Sequence, residues 1–271
     1  MKARTQIILL GTGSSGGVPR VGGDWGDCDP AEPRNRRRRC GALVQKTDAV
    51  GNLTNILIDT PPDLREQLLD TGITHLDAVV YTHDHADQSH GIDDVRALAI
   101  RQRRSIPVAF DAFTRDSLTR RFGYCLNGAM GYPAILSPQI EIRPLERFTI
   151  AGPGGDVAFL PVRMEHGPID CLGFRIGGLA YCNDVNGLPD ETLAALRGLD
   201  VLVIDALRHA PHPTHAHLDQ SLAWIAELKP KRAVLTNLHV DMDYQSLRRS
   251  LPDGVEPGYD GMVLEITGAE G

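Results

Sequence analysis

The sequence holds a dense group of potential metal ligands between residues 79 and 94, VVYTHDHADQSHGIDD. His83 and His85 alternate within it, and alternating side chains on extended backbone project to the same side. The two imidazoles can therefore grip one metal ion, and Asp87 can reach a neighbouring ion. The other interpretation is a polar surface loop, which an isolated His-x-His pair does not exclude.

Three more potential ligands stand at the ends of apolar stretches. His166 ends VAFLPVRMEH, Asp184 ends LAYCND and His239 ends RAVLTNLH. Histidine and carboxylate ligands suit zinc, manganese or iron, and a carboxylate can bridge two ions. A lone histidine of this kind is more often structural. The coincidence of four strand ends with ligand-type side chains therefore favours a metal site over a surface loop.

Short apolar runs that predict β-strands must position these residues. They lie at 5–11, 41–45, 55–60, 77–83, 107–110, 157–162, 172–178, 179–184, 200–207, 232–238 and 262–266. Helical spacing occurs at 61–72, 93–102, 115–122, 190–199, 218–230 and 243–251. Glycine and proline clusters at 151–155 and 252–258 indicate turns. Because strict strand–helix alternation is absent, this order favours a mixed sheet sandwich flanked by helices over a doubly wound parallel sheet.

The composition is that of a globular chain without a basic surplus. Of its 271 residues 42% are hydrophobic, and the formal net charge is −7, so no global basic field recruits nucleic acid. The five cysteines have no Cys-x-x-Cys spacing, which indicates neither a disulfide framework nor a cysteine zinc site. No apolar run approaches the roughly 20 residues that span a membrane. We expect a single domain over residues 1–271, in the cytoplasm.

The stretch GTGSSG at residues 11–16 matches the glycine pattern of a dinucleotide-binding loop. That pattern requires a helix directly after it, whereas GGVPRVGGDWGDCDP follows here. No acidic residue closes a second strand at the required distance. The sequence therefore favours a glycine-rich loop that packs closely beneath a site.

The ordered set THDHAD, His166, YCND and TNLH resembles the metallo-β-lactamase superfamily of hydrolases, whose pattern is His-x-His-x-Asp-His, a distal His, a bridging Asp and a last His. The resemblance runs from ILLGTGSSGGVP to GYDGMVLEI. The segments LGTGSSGGVP, RRRRCGALV and THAHLDQSL make the chain most similar to the phosphodiesterase branch that includes the phosphoribosyl cyclic phosphodiesterase of phosphonate breakdown. This resemblance implies an α/β fold, a four-layer αββα sandwich, with two divalent metal ions, zinc or manganese, at one rim.

The resemblance also implies which residues bind the ions. The residues at the ligand positions of the family are His83, His85, His166, Asp184, Asp87 and His239. The first three would hold one ion, the next would bridge, and the last two would hold the second ion. Gln88 stands where the family has a histidine, and its amide oxygen binds zinc more weakly than an imidazole does. The second ion would then bind more weakly, prefer manganese, or use His90 instead.

Further roles follow from the same resemblance. A hydroxide shared by two ions would attack the substrate, and Asp87 would orient it as well as bind metal. His215 aligns with a histidine just before a helix and would donate the proton to the leaving group, with His217 as the second choice or a substrate contact. Asp59 would support the metal loop, which is the loop that carries His83 and His85, through hydrogen bonds. His90, if it binds no ion, would lie just outside the ligands.

Two segments offer weaker candidates for substrate contacts. Residues 120–133, RRFGYCLNGAMGYP, contain Arg121, Tyr124 and Tyr132, which could contact a base or a phosphate. The basic run RNRRRR at 34–39 is either a solvated loop or a phosphate-binding segment.

The sequence therefore predicts a metal-dependent phosphodiesterase that cleaves a small cyclic phosphate or nucleotide-type phosphodiester. The alternatives within the same fold are hydrolysis of an ester, thioester or lactam, and RNA processing, which the acidic net charge disfavours. A non-enzymatic metal or nucleotide sensor is motivated only by Gln88. We further expect no membrane partner and a homodimer.

Overall fold

The computed structural model describes residues 3–129 and 131–267, and their backbone forms two mixed β-sheets. In chain order the strands are β1 (Arg4–Gly11), β2 (Gly41–Thr47), β3 (Leu53–Ile58), β4 (Ala78–Val80), β5 (Ile106–Phe110), β6 (Leu136–Glu141), β7 (Phe148–Ile150), β8 (Val157–His166), β9 (Ile169–Ile176), β10 (Leu179–Cys182), β11 (Val201–Asp205), β12 (Arg232–Thr236), β13 (Val255–Pro257) and β14 (Val263–Ile266). The helices are α1 (Leu64–Thr71), α2 (Ala86–Ser89), α3 (Arg96–Gln102), α4 (Ala112–Asn127), α5 (Asp190–Ala195), α6 (Leu218–Leu228) and α7 (Tyr244–Ser250), with 3-10 turns at Pro33–Asn35 and Ile92–Val95. Within the described ranges, none of these helices is long and apolar enough to cross a membrane.

Each sheet combines parallel and antiparallel pairs. Among the described residues each sheet has seven strands, in the order β14-β1-β2-β3-β4-β5-β6 and β13-β12-β11-β10-β9-β8-β7. Strands β3 to β6 run parallel, as do β10 to β13, and the remaining neighbours are antiparallel. The prediction of mixed sheets without strict strand–helix alternation is confirmed.

Alternate side chains of a strand enter different layers of the molecule. Along β3, Ile56 and Ile58 are buried between the two sheets. Leu57 is buried on the opposite face, in a cluster that includes Leu64 of α1 and Leu118 of α4. This alternation follows from the two-residue period of a strand. It requires helices to cover the outer face of the first sheet.

The second sheet repeats this arrangement. Along β11, Val201 and Val203 face the first sheet, while Leu202 is buried in a cluster that contains Ile225 of α6 and Leu247 of α7. Two helical layers therefore enclose two sheets. The predicted four-layer αββα sandwich is confirmed by this layering.

All eleven predicted strands are present, but three others were missed: β6, β7 and β13. All three lie at sheet edges. Pro138 lies within β6 and Pro257 ends β13, and proline is confined to edge strands because it has no N–H to donate. The prediction of turns throughout 252–258 is wrong at Val255–Pro257 for this reason: proline indicated a turn where it marks an edge strand.

The glycine-rich segment after β1 packs against neighbouring backbone. A Cβ added to Gly11 would lie 2.0 Å from the carbonyl oxygen of Arg39, so only glycine fits there. Gly13 forms bridges to both Arg39 and Leu238. In the described chain the next helical turn after this segment begins only at Pro33, so the dinucleotide interpretation lacks its helix. The segment therefore connects the chain just before β2 with the chain just after β12.

The Asp243 carboxylate connects α7 to the N-terminal loop, which is the segment between β1 and β2. Its Oδ1 accepts a hydrogen bond from the Ser246 backbone N–H (2.9 Å), which caps α7, and its Oδ2 accepts from Asn35 Nδ2 (2.6 Å). Partial burial opposes the charge, but these hydrogen bonds outweigh it and lower the pKa of Asp243 from 3.8 to about 2.

Replacing Asp243 with alanine is expected to lower the free energy of unfolding by about 1–2 kcal/mol at pH 7, because it removes a helix cap. The folded-state pKa is depressed, so the contribution of the charge is present above pH 3.8 and is lost as the pH falls through about 2. Denaturant titrations of both proteins between neutral and acidic pH would measure this. A difference that stays constant down to the lowest pH would contradict the electrostatic part.

Candidate metal centre

Polar side chains gather where several strands end. His83 follows β4, His166 is the last residue of β8, and Asp184 follows β10. Asp59, Asp184 and Asn237 have φ angles of 63°, 57° and 61°. This left-handed backbone region is open to aspartate and asparagine more readily than to other residues with a Cβ. The chain therefore turns sharply just after β3, β10 and β12, at the places where the polar side chains emerge.

Three imidazoles, a carboxylate and a fourth imidazole meet here. Single nitrogens of His83, His85 and His166 lie within 4.8 Å of one another. His166 forms a second group of the same size with Asp184 and His215. His85 Nδ1 is 3.2 Å from His166 Nε2, and His83 Nε2 is 3.8 Å from Asp184 Oδ2. The structure thus brings together four of the predicted metal ligands and the predicted proton donor.

The His83 side chain fits a divalent cation. Its Nε2 is buried and has no hydrogen-bond partner among the described residues. Burial, together with His166 and His85, holds the pKa of His83 well below its usual value. Burial and His215 lower the pKa of His166 to about 4. Both rings are therefore neutral near pH 7, which is the form that binds metal.

Asp59 supports His83 through Thr82. Asp59 Oδ1 accepts from the Thr82 N–H (2.8 Å) and Oδ2 accepts from the Thr82 hydroxyl (2.8 Å). The Thr82 oxygen also lies 2.9 Å from His83 Nδ1. Burial raises the pKa of Asp59 to about 8, although the Thr82 hydrogen bonds oppose this. This chain of contacts fixes the orientation of the His83 ring, as groups behind a metal ligand commonly do.

Both carboxylate oxygens of Asp184 accept amide hydrogen bonds. Gln88 Nε2 and Asn183 Nδ2 donate to Oδ2, and Asn237 Nδ2 donates to Oδ1, each at 2.9 Å. Burial, followed by the nearby charge of Asp87, raises the pKa of Asp184 well above its usual value. The Gln88 Oε1 atom is buried without a hydrogen bond within the described chain.

His215 is held by a buried carboxylate that the sequence analysis missed. Its Nδ1 lies 2.8 Å from Asp205 Oδ2 and 3.1 Å from Asn237 Nδ2. Burial lowers the pKa of His215, but Asp205 outweighs that effect and the pKa rises to about 9. Asp205 ends the apolar strand β11 just as Asp184 follows β10, so the same strand-end signal could have identified it.

Asp87 and His239 do not join the cluster of ligand atoms found within the described residues. Asp87 lies in α2, half-buried, and its charge reaches Asp184. His239 is engaged at both ring nitrogens: Nδ1 lies 2.9 Å from Asp241 Oδ1, and Nε2 contacts the Arg20 guanidinium.

Four other predicted residues lie outside this cluster as well. The His90 ring packs edge-on against Phe122, with ring centroids 5.4 Å apart. His217 is the N-cap of α6, where its carbonyl accepts the Ser221 N–H. Tyr124 and Tyr132 are exposed and line a groove beside α4. Their proposed substrate contacts stay predictions.

Arg121 binds the metal loop itself. Its Nη2 donates to the Asp84 carbonyl (2.6 Å) and to Asp84 Oδ2 (2.5 Å). The Ser117 hydroxyl donates to the same carboxylate oxygen (2.5 Å). Asp84 lies between the two loop histidines, so α4 clamps the loop from outside. In this structure Arg121 positions the loop, and its contact with a base or a phosphate stays a prediction.

Replacing Arg121 with alanine is expected to weaken divalent-metal binding about 10-fold, the lower end of the effect of removing a ligand's own partner, because Arg121 holds Asp84, which lies between His83 and His85. The loop would lose two hydrogen bonds that fix Asp84. Competition with a chromophoric chelator would measure the affinity. Arg120→Ala is the matched control, since Arg120 is an exposed neighbour on the same helix. Equal metal affinity in the two variants would contradict the role of Arg121 in positioning the metal loop.

The basic run at 34–39 is largely engaged within the fold. Arg34 pairs with Glu32, Arg38 with Asp260, and Arg39 with Asp63. Arg37 is 2% exposed and donates to Asn35 Oδ1 (3.3 Å). The run therefore makes several contacts within the fold, Arg36 stays exposed, and a phosphate-binding role for it stays a prediction.

Known proteins share this architecture. The profile of the family described as "Beta-lactamase superfamily domain" matches residues 54–237. A diphosphatase from the PhnP family, known from a crystal structure, is 37% identical and superposes with a TM-score of 0.85, covering 97% of this chain and 98% of that one. Zn(2+)-bound PqqB from Methylobacterium extorquens is 17% identical with a TM-score of 0.73, covering 96% and 100% of the two chains, a likeness of fold alone.

A curated sequence relative has a different name. An octanoyltransferase of Porphyromonas gingivalis (strain ATCC BAA-308 / W83) is 34% identical over 266 residues, which are 96% of this chain and 51% of that protein. The chain thus spans about half the length of this relative.

Proposed function

The chain belongs to the beta-lactamase superfamily and within it to the PhnP family, and from this premise we propose that it is a metal-dependent phosphodiesterase acting on a small cyclic phosphate or nucleotide-type phosphodiester. The observation that carries the proposal is the cluster of His83, His85 and His166 beside Asp184 and His215. Such a cluster, in a chain similar over its full length to a diphosphatase, supports hydrolysis at phosphorus.

His83, His85 and His166 would hold a divalent ion, zinc or manganese, with Asp184 adjacent. When bound, such an ion polarises phosphoryl oxygens and lowers the pKa of water. The protein keeps the imidazoles neutral by burial and fixes the His83 ring through Thr82 and Asp59.

His215 would donate the proton that the leaving oxygen needs. Because Asp205 holds its Nδ1, the ring presents Nε2 away from that carboxylate. The pKa of about 9 keeps the imidazolium form populated at neutral pH. We therefore assign proton donation to His215, with Asp205 as its positioning residue. Asp87, whose charge reaches Asp184, is proposed to orient the attacking water.

A second candidate is hydrolysis of an acyl ester or thioester, favoured only by the octanoyltransferase relative. That match leaves about half of the relative unaccounted for. The acyl reaction therefore ranks below reaction at phosphorus, where a relative matches over its whole length.

The proposal is tested with metal-stripped protein to which zinc or manganese is returned. Substrates are bis-p-nitrophenyl phosphate, a ribose cyclic phosphate, a nucleoside diphosphate and an octanoyl thioester. We expect metal-dependent hydrolysis of the phosphodiesters at a higher kcat/KM than the thioester. Preference for the thioester would favour the acyl reaction, and absence of any metal-dependent turnover would favour a sensor.

A further inference from the structure

The position expected for a second metal ion is built from Asp87, Asp184, His239 and Gln88, and protein groups already engage the ligand atoms of Asp184 and His239, whereas Gln88 Oε1 has no hydrogen-bond partner among the described residues. Gln88 Nε2 donates to Asp184 Oδ2 and Asn237 Nδ2 donates to Asp184 Oδ1, each at 2.9 Å. Asn183 Nδ2 also donates to Oδ2, so the three amides occupy three of the roughly four lone pairs that a carboxylate offers to a cation.

At His239 the contact that matters is the one at Nε2, because a carboxylate at Nδ1 is compatible with metal binding through the other nitrogen. Asp241 Oδ1 lies 2.9 Å from its Nδ1, and the Arg20 guanidinium contacts its Nε2. Guanidinium only donates hydrogen bonds and stays charged, so Nε2 must be the acceptor and its lone pair faces Arg20. Within the described chain, Asp87 and His239 enter neither compact ligand group, whereas His83, His85 and His166 do form one.

Arg20 brings its positive charge into the site from the N-terminal loop. Its backbone is fixed by hydrogen bonds with Asp24 and Gly23, and its side chain lies over Gly16, where an added Cβ would be 3.3 Å from Arg20 Cγ. The nearest carboxylate oxygen, Asp24 Oδ2, is 3.7 Å away, and both side chains are about half exposed. The Arg20 backbone is therefore held in place, whereas the charge of its guanidinium is only partly balanced by Asp24.

We propose that this chain binds one divalent ion per site, at His83, His85 and His166, and that Arg20 supplies the second positive charge, which binds the phosphate group of the substrate. A guanidinium suits this task because its forked N–H groups match two phosphate oxygens. The phosphate role rests on the proposed function, whereas the ion count does not.

The ion count is tested by equilibrium dialysis of the purified protein against zinc and against manganese, followed by elemental analysis. We expect one ion per chain in the wild type and two in the double variant Arg20→Met, Gln88→His, which frees His239 and supplies an imidazole. Thermal unfolding would verify that both proteins are folded. Two ions in the wild type would overturn the proposal. One ion in the folded double variant would overturn the assignment of Arg20 and Gln88 as the groups that exclude the second ion.

The role of Arg20 is tested by calorimetry with inorganic phosphate, using Arg20→Gln and the control Arg36→Gln. Arg36 is an exposed arginine of the same region, and its side chain makes no hydrogen bond or ion pair with the described residues. We expect phosphate to bind about 10–100-fold more weakly to Arg20→Gln, because a charge-assisted hydrogen bond is lost, with the metal content unchanged. Equal weakening in both variants, or none in Arg20→Gln, would overturn the role.

The two proposals fail in different ways. If phosphate binding depends on Arg20 but no phosphodiester is hydrolysed, the proposed function is refuted while the inference stands. If phosphodiesters are hydrolysed by a protein that holds two ions, the inference is refuted while the proposed function stands.

Discussion

His83→Ala is expected to lower metal-dependent turnover by about 10³-fold or more, since a bound ion supplies several kcal/mol of charge stabilisation and each 1.36 kcal/mol is a factor of ten in rate. The imidazole is buried, carries an Nε2 without a partner in the described residues, and is oriented by Thr82. Its loss removes one of the three clustered imidazoles that are proposed to bind the ion. Turnover and bound metal measured on the same preparation would test this.

His209→Ala is the matched control for this experiment, because His209 is an exposed histidine on the loop after β11. It should keep both metal and activity. Circular dichroism would confirm that His83→Ala remains folded. A folded His83→Ala protein with wild-type metal content and activity would remove His83 from the ligand set, and with it the basis of the proposed function.

The ligands that follow apolar strands could be predicted from the sequence because position along a strand decides where a side chain emerges. His83 comes just after β4 of the first sheet, and His166 and Asp184 come at or just after the ends of β8 and β10 of the second sheet. Asn237 also follows a buried strand, β12, but its side chain is an amide, so the search for typical ligand residues at strand ends passes over it. Its hydrogen bond to Asp184 has no counterpart in the hydrophobic pattern.

Contacts between distant parts of the chain could not be predicted. Arg20 meets His239 across 219 residues, and Arg121 meets Asp84 across 37. Neither pair has a local pattern that distinguishes it from surface charge. The sequence assigned Arg121 to substrate and gave Arg20 no role, because the residue type alone does not say which partner the folded chain supplies.

Edge strands are the part of the fold that could not be predicted from the sequence. The strands predicted correctly are apolar runs of which most are buried, whereas β6 has exposed residues and an internal proline. An edge strand needs neither a fully apolar face nor an N–H at every position, so it leaves a weak pattern. The prediction of the layers is still correct without these edge strands, because the inner strands alone determine which sheet faces the helices must cover.

The role of His215 predicts a dependence on the leaving group. His215→Ala is expected to slow hydrolysis of alkyl and ribosyl phosphodiesters by about 10²–10⁴-fold, the usual contribution of general acid catalysis. Bis-p-nitrophenyl phosphate should be slowed far less, because p-nitrophenolate leaves without a proton. His217→Ala, at the N-cap of α6, serves as the comparison, since His217 was the second choice for this role.

His215→Ala and His217→Ala should differ most where the leaving group is poorest. The His215 ring is held by Asp205 and beside Asp184, so its proton lies at the cluster, whereas no contact in the described chain ties the His217 ring to it. A plot of log kcat/KM against leaving-group pKa should therefore steepen in His215→Ala and keep its wild-type slope in His217→Ala. Equal slowing of all substrates in His215→Ala, with metal content retained, would contradict proton donation by His215. The residue would then have only a structural role in the site. A steeper slope in His217→Ala alone would assign proton donation to His217 instead of His215.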